Sequence, residues 1–295
     1  MNTLKFHDMT LTWLESTSTL NDAGNMFGPV PKAVWSKKYP NNDHNQMNSV
    51  EDPILIQFKN TNYLIDAGFE TNKFNKKDWR NIGVQNETRL TESLAQLNLT
   101  PKDIDVILMT HMHNDHASGL TRATEEGFES VFPNATIYMT EIEWKEVQNP
   151  NVRTKGTYLK ENWEPIQEQV KVFKDRIEII PGIEMFHTGG HSNGLAIVKL
   201  TQEDEVLLHL SDLLLTVASM NPAWVSSYDD YPMDTIAAKQ KWLPEAFENG
   251  YKLIFYHDAY YCMLQFDQDG KTVIDYLERE KKPIIEWPEN IGKLT

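Results

Sequence analysis

The stretch Thr110-His111-Met112-His113-Asn114-Asp115-His116 places three histidines and one aspartate within six residues. It follows the apolar segment Ile104–Met109, which is predicted to be a short buried strand. Imidazole and carboxylate groups are costly to bury in a core, but zinc and related ions prefer them as ligands. The stretch therefore predicts a metal site at the end of a strand.

Metal-capable side chains also follow three later apolar segments. They lie in His187-Thr188-Gly189-Gly190-His191, in Ser211-Asp212 and in His257-Asp258. His111 and His113 are two residues apart, so in an extended chain their side chains point the same way and can bind one ion. Asp115 and His116 would then serve a second ion, and Asp212 is predicted to bridge the two.

The composition of the chain disfavours some partners and some cellular compartments. The chain has 295 residues, 40% of them hydrophobic, and a formal charge of −15, which disfavours nucleic acid or an anionic membrane as a partner. The single cysteine, Cys262, fits a reducing compartment, and we expect a cytoplasmic protein. The N-terminus lacks the pattern of a secretory signal, and polar residues interrupt the most apolar stretch, Val206–Val225, so we expect no membrane span.

Hydrophobic periodicity predicts strands in runs, with helices between some of them, in one domain over residues 1–295. Strands are predicted over Leu4–Leu14, Ile54–Phe58, Asn62–Ile65, Asp105–Met109, Ala135–Met139, Asp175–Ile180, Ile183–His187, Leu195–Leu200, Glu205–Leu210 and, as the last, Lys252–Tyr256. Helices are predicted over Thr88–Leu97, Glu141–Val147, Trp163–Val170 and Met233–Asn249, the last with a break or kink at Pro244. Glu70–Asn86 is predicted to be a polar stretch. Residues 21–53 are predicted to form an irregular N-terminal loop near the site or at a dimer interface.

The ordered set of ligand candidates resembles a known family. His111-x-His113-x-Asp115-His116, with His191, Asp212 and His257, resembles the dinuclear signature of the metallo-β-lactamase superfamily. Asp66 in Leu64-Ile65-Asp66-Ala67-Gly68 resembles a recurrent element of that superfamily. Shorter segments resemble the YtnP branch of quorum-quenching lactonases, which is related to methyl parathion hydrolases. These are Met26-Phe27-Gly28, Val30-Pro31-Lys32, Trp35 to Pro40, Thr188 to Ser192, Asn221-Pro222-x-Trp224, Tyr228 to Pro232 and Tyr256 to Tyr261.

The resemblance implies an α+β fold, a four-layer αββα sandwich with the site at the rim between two sheets. It implies one divalent ion on His111, His113 and His191, a second on Asp115, His116 and His257, and Asp212 between them. Zinc is the default metal. The nucleophile would be a hydroxide bridging the metals. Asp115 would orient this hydroxide or carry a proton to the leaving alkoxide, and Asp115 and Asp212 are the implied catalytic residues.

The resemblance further implies a small-molecule lactone or ester substrate, with N-acyl-homoserine lactones first. Relatives often have a histidine at the position of Leu195, and the branch tends to have histidines within Leu213–Ser219, where this chain has none. Known lactonases have a tyrosine at the position of Leu215. The alternatives are therefore a phosphotriester or aryl-ester hydrolase and a metal-binding scaffold without catalysis. Tyr228 and Tyr231 are candidate proton donors in place of Leu215.

Several further residues have two possible roles. Asp66 is either a support for a ligand imidazole or a simple turn carboxylate. An aromatic set is either ordinary packing or the lining of an acyl-chain pocket: Phe27, Trp35, Trp224, Tyr228 and Tyr231. His187 and His209 are predicted to be partly buried and not ligands. We also expect a homodimer in which residues 21–53 cover part of the partner's pocket.

Overall fold

Eighteen strands and eight α-helices are found in the computed structural model, which describes residues 1–288 and residue 291. The strands are β1 Thr3–Phe6, β2 Met9–Trp13, β3 Thr17–Asp22, β4 Gln46–Glu51, β5 Ile54–Phe58, β6 Thr61–Ile65, β7 Val106–Leu108, β8 Thr121–Thr124, β9 Gly127–Ser130, β10 Thr136–Thr140, β11 Val170–Phe173, β12 Arg176–Ile180, β13 Ile183–His187, β14 Ala196–Gln202, β15 Glu205–His209, β16 Lys252–Ile254, β17 Tyr261–Phe266 and β18 Val273–Glu278. The α-helices are α1 Ala23–Phe27, α2 Lys32–Trp35, α3 Lys76–Ile82, α4 Leu90–Gln96, α5 Asn114–Ala117, α6 Glu141–Gln148, α7 Lys160–Trp163 and α8 Pro232–Glu248. Short 3-10 helices span Thr71–Lys73, Pro101–Asp103, Ser118–Leu120, Thr154–Gly156, Glu164–Gln169, Ser211–Leu214 and Val217–Met220.

Two seven-stranded sheets carry most of these strands. The first has the order β1-β2-β5-β6-β7-β10-β11, and the second runs from β12 to β18 in chain order. In the first sheet β6, β7, β10 and β11 are parallel neighbours, and in the second β15 and β16 are parallel. Parallel neighbours end at the same edge of a sheet, so the residues that follow β6 and β7, or β15 and β16, come together. β3 pairs with β4, and β8 with β9, in two small separate sheets.

Alternating side chains divide the interior into three layers. In β5, Ile54 and Ile56 pack between the two sheets, while Leu55 packs toward the helices that cover the first sheet. In β14, Val198 also lies between the sheets, while Ile197 packs on the layer that contains α8. Successive strand residues point to opposite faces, so both faces of each sheet are covered. The predicted αββα sandwich is confirmed. Among the described residues, none of the helices is both long and apolar enough to cross a membrane.

Most predicted strands and helices are found within one or two residues of their expected bounds, but some predictions were wrong. The segment predicted as one strand over Leu4–Leu14 is a hairpin of two strands, which turns at His7 with φ of 49°. The sequence has neither glycine nor asparagine at this turn. Hydrophobic periodicity alone therefore predicts one continuous strand instead of two. The segment Trp163–Val170 is a 3-10 helix over Glu164–Gln169, followed by strand β11. α8 continues through Pro244, so the break predicted there as one of two alternatives is not found.

The segment predicted to be irregular and the polar stretch that follows β6 both contain regular elements. Residues 21–53 include α1, α2 and β4, and residues 70–86 include α3. α1 and α2 have five and four residues, too short to show a helical period. The Asp22 side chain caps α1 by accepting a hydrogen bond from the Asn25 amide, a local contact that begins a helix without an apolar pattern.

Lys252–Tyr256 was predicted to be the last strand, and this was wrong, because β17 and β18 follow β16. The turn after β16 is made by one carboxylate: Asp258 Oδ1 accepts from the amides of Tyr260 and Tyr261, both at 2.8 Å. An aspartate turn inside an aromatic run gives no glycine or proline signal. β18 brings a second part of the chain onto this turn.

Candidate metal centre

The ligand candidates follow strand ends that share one rim of the sandwich. His111 and His113 follow β7, His191 lies between β13 and β14, Asp212 follows β15 and His257 follows β16. Gly190 has φ of 106°, and a Cβ there would come within 2.8 Å of the Thr235 backbone at the start of α8. Only glycine fits this approach, so α8 and the His191 loop can pack directly together.

The structure brings all seven predicted metal ligands together in two groups. Within each group the potential ligand atoms lie within 4.8 Å of one another. The group that we call the first consists of His111, His113 and His191. The second group consists of Asp115, His116, Asp212 and His257. The resemblance implied the same sets of three, with Asp212 between them, whereas here Asp212 falls within the second group.

Asp212 lies between the two groups. Its Oδ2 is 3.3 Å from His191 Nε2 in the first group and 3.4 Å from both His116 Nε2 and His257 Nε2 in the second. Burial alone would raise the pKa of the Asp212 carboxyl, but the surrounding imidazoles outweigh burial and hold the pKa well below its usual range. The carboxylate is therefore charged and faces both groups.

The imidazoles of the second group are oriented from behind. His116 Nδ1 lies 2.8 Å from Asp66 Oδ2, and His257 Nδ1 lies 3.0 Å from the Val50 carbonyl oxygen. Asp66 is fully buried and also accepts from Thr110, at 2.7 Å from its amide and 2.8 Å from its hydroxyl. Asp66 thus contacts a ligand imidazole and is not a simple turn carboxylate. Since carbonyl and carboxylate oxygens only accept, both rings donate from Nδ1.

The imidazoles of the first group have different hydrogen-bond partners behind them. His191 Nδ1 lies 2.8 Å from Asp229 Oδ1, and Asp229 accepts in turn from the Ser226 hydroxyl at 2.9 Å. The Thr110 hydroxyl donates to Asp66, so it accepts from His111 Nδ1, 3.0 Å away. Both imidazoles therefore keep a proton on Nδ1 and present a bare Nε2 to the centre.

The arrangement of bare nitrogens fits metal ions. His116 Nε2 and His257 Nε2 are 3.0 Å apart, and His113 Nδ1 and His191 Nε2 are 2.9 Å apart. His111 Nε2 and Asp212 Oδ1 are buried and have no hydrogen-bond partner among the described residues. Lone pairs that face each other at these distances repel unless a proton or a metal ion lies between them. Imidazole and carboxylate donors in this number suit zinc and related divalent ions.

The two groups respond differently to burial and charge. Burial, followed by the neighbouring imidazoles, holds the pKa values of His111 and His113 well below the usual 6.5. Burial opposes the charged forms of His116, His191 and His257 too, but Asp212 and other carboxylates outweigh it and raise their pKa values. The second group contains two of the three imidazoles with a raised pKa.

A cleft of about 560 Å³ opens onto both groups. Asp115 lies in its wall with 42% of its side chain exposed, and Asp115 Oδ2 is 3.6 Å from His257 Nε2 and 3.8 Å from His116 Nε2. The other six ligand candidates are buried. Asp115 is therefore the ligand candidate that a substrate can approach most easily.

The predicted aromatic set is divided by the structure. Phe27 and Trp35 are buried and stacked with ring centroids 4.8 Å apart, and Trp224 packs edge-on against Phe27. These three belong to the core that contains α8. Tyr228 lines the cleft, whereas Tyr231 is exposed outside it. Sequence could not separate these roles, because an aromatic residue in a loop suits both packing and binding.

His187 and His209 belong to neither group. His187 Nε2 is 2.8 Å from the Asn193 carbonyl, and buried His209 Nδ1 is 3.1 Å from the Ile254 carbonyl. The sequence interpretation missed other residues near the site. Glu51 is a buried residue of the cleft wall, and burial raises the pKa of its carboxyl to about 8. Tyr256 stacks on His116 at 4.4 Å and donates to the Asp115 carbonyl.

Comparisons with known proteins agree with this geometry. A model of the metallo-beta-lactamase superfamily matches residues 51–246. An N-acyl homoserine lactonase from a Bacillus species is 25% identical over 171 residues, which are 52% of this chain and 62% of that protein. The chain thus matches only about three fifths of the length of this relative.

Solved structures extend the likeness over nearly the whole chain. The crystal structure of a probable metal-dependent hydrolase from Staphylococcus aureus is 41% identical, with a TM-score of 0.90, and the match covers 94% of this chain and 99% of that one. AidC, a dizinc quorum-quenching lactonase solved with a product, is 17% identical with a TM-score of 0.76, covering 96% and 98%. At that identity the likeness to AidC shows the fold alone. With two thirds of its length matched by the family model and its ligand candidates gathered at the rim of an αββα sandwich, the chain belongs to the metallo-beta-lactamase superfamily.

Proposed function

We propose that this protein is a dinuclear metal-dependent hydrolase that opens lactone rings, with N-acyl-homoserine lactones as its substrates. The observation that carries the proposal is the pair of ligand groups that share the Asp212 carboxylate at the base of an open cleft. Bound divalent ions lower the pKa of water and polarise an ester carbonyl, which are the two requirements of lactone hydrolysis. Relatives named N-acyl homoserine lactonase support this substrate class.

Asp115 is the residue of the centre to which we assign proton movement on the attacking side. Its half-exposed carboxylate lies in the cleft wall beside His116 and His257. A carboxylate in this position can accept a hydrogen bond from the attacking water and hold its proton.

Tyr228 is the donor that we assign to the leaving alkoxide. It lines the same cleft, and burial raises the pKa of its hydroxyl above 10, so that the hydroxyl keeps its proton. A protonated hydroxyl can donate a hydrogen bond as negative charge develops on the leaving oxygen. Leu215 also lines the cleft but has no hydroxyl, so it cannot take this role. Tyr231 lies outside the cleft lining.

The cleft offers both surfaces that an acylated lactone needs. Apolar side chains contribute to one part of the lining: Leu20, Met26, Phe69, Ile82 and Leu215. Polar side chains such as Asn25 and Arg153 line the remainder. Ligand pockets that combine a mainly apolar wall with a few polar groups bind molecules with an apolar tail and a polar head.

The test is hydrolysis of a panel of N-acyl-homoserine lactones with short, medium and long acyl chains. Protein with two metal ions per chain, measured by elemental analysis, is mixed with each lactone, and acid release is followed by titration at constant pH. We expect turnover with at least one chain length and none after the metal is removed by chelation. No turnover with any chain length at full metal occupancy would contradict the proposal.

A phosphotriester or aryl-ester hydrolase is the second candidate. The observation that favours it is Leu215, which places an apolar side chain in the cleft at the position where known lactonases have a tyrosine. Paraoxon and methyl parathion are the discriminating substrates, and faster hydrolysis of either than of any lactone would favour this candidate. Two bound ions with no hydrolysis of lactone, ester or phosphotriester would identify a metal-binding scaffold.

We also propose a homodimer in which residues 21–53 reach the partner's pocket. Asn21, Asp22, Asn25 and Met26 from this segment line the cleft of their own chain, so the segment lies near a pocket mouth. Light scattering coupled to size exclusion should give twice the chain mass of 34.1 kDa. A single-chain mass would contradict the dimer.

A further inference from the structure

Glu143 of α6 joins the two loops that supply the first ligand group. It is fully buried, and its Oε1 accepts from the Met112 amide at 2.7 Å and from the Tyr158 hydroxyl at 2.8 Å. Its Oε2 accepts from the Ser192 hydroxyl at 2.7 Å. Met112 lies between His111 and His113, and Ser192 directly follows His191. One carboxylate therefore tethers both loops of the first group.

Arg279 has the same relation to the loop that carries His257. It directly follows β18, and its side chain is only 5% exposed. The guanidinium donates to the carbonyl oxygens of Phe255, Tyr256 and Asp258, which flank His257 on both sides. It also pairs with the carboxylate of Asp52. Residue 279 lies beyond the region that the superfamily model matches, residues 51–246.

The contacts of the two residues are separate. Glu143 contacts the loops after β7 and β13, whereas Arg279 contacts the loop after β16 and the chain beyond β4. Hydrogen bonds to a buried charged group are short and strong, and a buried charge without partners is costly. The Glu143 contacts directly adjoin ligand candidates of the first group, the Arg279 contacts directly adjoin His257 of the second, and no hydrogen bond or ion pair of one is shared with the other.

We infer that Glu143 and Arg279 are positioning residues that hold the two ligand groups independently, Glu143 the first group and Arg279 the second. The ions of the proposed dinuclear centre, on which this inference rests, can consequently be lost one at a time. Partners that orient ligands typically account for about 10- to 100-fold in metal affinity. Neither residue is among those that line the cleft, so each acts through the ligands that it positions.

The experiment compares zinc bound per chain in Glu143→Ala and Arg279→Lys during titration of the holoprotein with a chelator. Lysine keeps the charge beside Asp52 but cannot reach three carbonyl oxygens at once. We expect each variant to release one ion at about 10- to 100-fold lower chelator strength than the wild type and to keep the other. Tyr158→Phe is the matched control, because it removes one bond to Glu143 but leaves both loops tethered; it should release zinc like the wild type.

Double variants show which ion is lost. Adding His113→Ala to Glu143→Ala should leave the retained ion in place, whereas adding His257→Ala should remove it. For Arg279→Lys the two outcomes should be reversed. Release of both ions together in either single variant, or release of neither, would overturn the inference.

Glu143→Gln separates positioning from a general loss of stability. Its amide oxygen can still accept from Met112 and Tyr158, and its amide nitrogen can donate to the Ser192 hydroxyl. We expect it to retain both ions, and thermal unfolding of the metal-free proteins should show whether Glu143→Ala remains folded. If the wild type holds two ions but hydrolyses no lactone, the proposed substrate fails while the selective zinc release still supports the inference. If lactones are hydrolysed but both variants release zinc like the wild type, only the inference fails.

Discussion

The two ligand groups differ in charge, exposure and support. The first consists of three buried imidazoles, two of which have a strongly lowered pKa. The second includes the half-exposed carboxylate of Asp115 and two imidazoles whose pKa values are raised by carboxylates. The cleft reaches both groups, and the second group adds the half-exposed carboxylate of Asp115 to its wall. Asp212 lies within 3.4 Å of imidazole nitrogens of both groups and is the group that they share.

The largest effect is expected when the charge of Asp212, the shared group, is removed. Asp212→Asn keeps the shape but loses the charge that faces both groups, so both ions should bind less tightly. Metal ions contribute several kcal/mol to the transition state, and each 1.36 kcal/mol is tenfold, so activity should fall by about 10³-fold or more. Elemental analysis and lactone hydrolysis measure the two effects. Retention of both ions with full activity would show that the groups do not depend on Asp212.

Tyr228→Phe tests whether the proton for the leaving group comes from the loop that supports the first group. General acid catalysis contributes about 10²- to 10⁴-fold, so kcat should fall by about 10²-fold. Because Tyr228 is not a ligand candidate, two ions per chain should remain. An unchanged kcat at full metal content would move the donor role to Asp115 or to solvent.

Asp66→Asn and Asp229→Asn compare the supports of the two groups. Each replaces an acceptor of a ligand imidazole proton and should lower metal affinity about 10- to 100-fold. Asp229 serves only His191, so its variant should weaken the first group alone. Asp66 serves His116 and, through Thr110, His111, so its variant should weaken both. Chelator titration distinguishes one weakened ion from two, and equal patterns would contradict this asymmetry.

Acid should release the two ions in sequence. Without metal, the pKa values of both imidazoles of the second group, His116 and His257, are raised, whereas in the first group the pKa of His191 is raised and those of His111 and His113 are lowered. A proton on a ligand nitrogen competes with metal, so affinity falls as pH falls. The second group should lose its ion at the higher pH. Zinc retained after equilibration at stepped pH measures the order, and the reverse order would refute the assignment.

Much of the fold was predictable because it depends on local pattern. The strands that deliver the ligands are short apolar runs with β-branched residues, and their ends coincide with abrupt changes to histidine and aspartate. α8 and α6 show helical spacing long enough to recognise. The elements that were missed, such as α1, α2 and β18, are short, polar or at an edge, where hydrophobic periodicity carries little signal.

Side-chain contacts over long sequence separations were not predictable. Glu143 and Arg279 look like ordinary helix and strand-end charges in the sequence, since Lys, Arg, Glu and Asp are usually on the surface. The structure buries both side chains against backbone groups that flank ligands. Phe27 and Trp35, which the sequence allowed as pocket lining, belong to the core instead.

The sequence by itself determined the chemistry of the centre. Seven histidines and aspartates, four within six residues and three at later strand ends, specify imidazole and carboxylate donors, because those properties belong to the residues. The tertiary structure decided how the seven divide into two groups, which nitrogen of each imidazole is bare and which ligand faces the cleft. These features depend on partners such as Asp66, Asp229 and the Val50 carbonyl, which meet the ligands only when the sheets pack together.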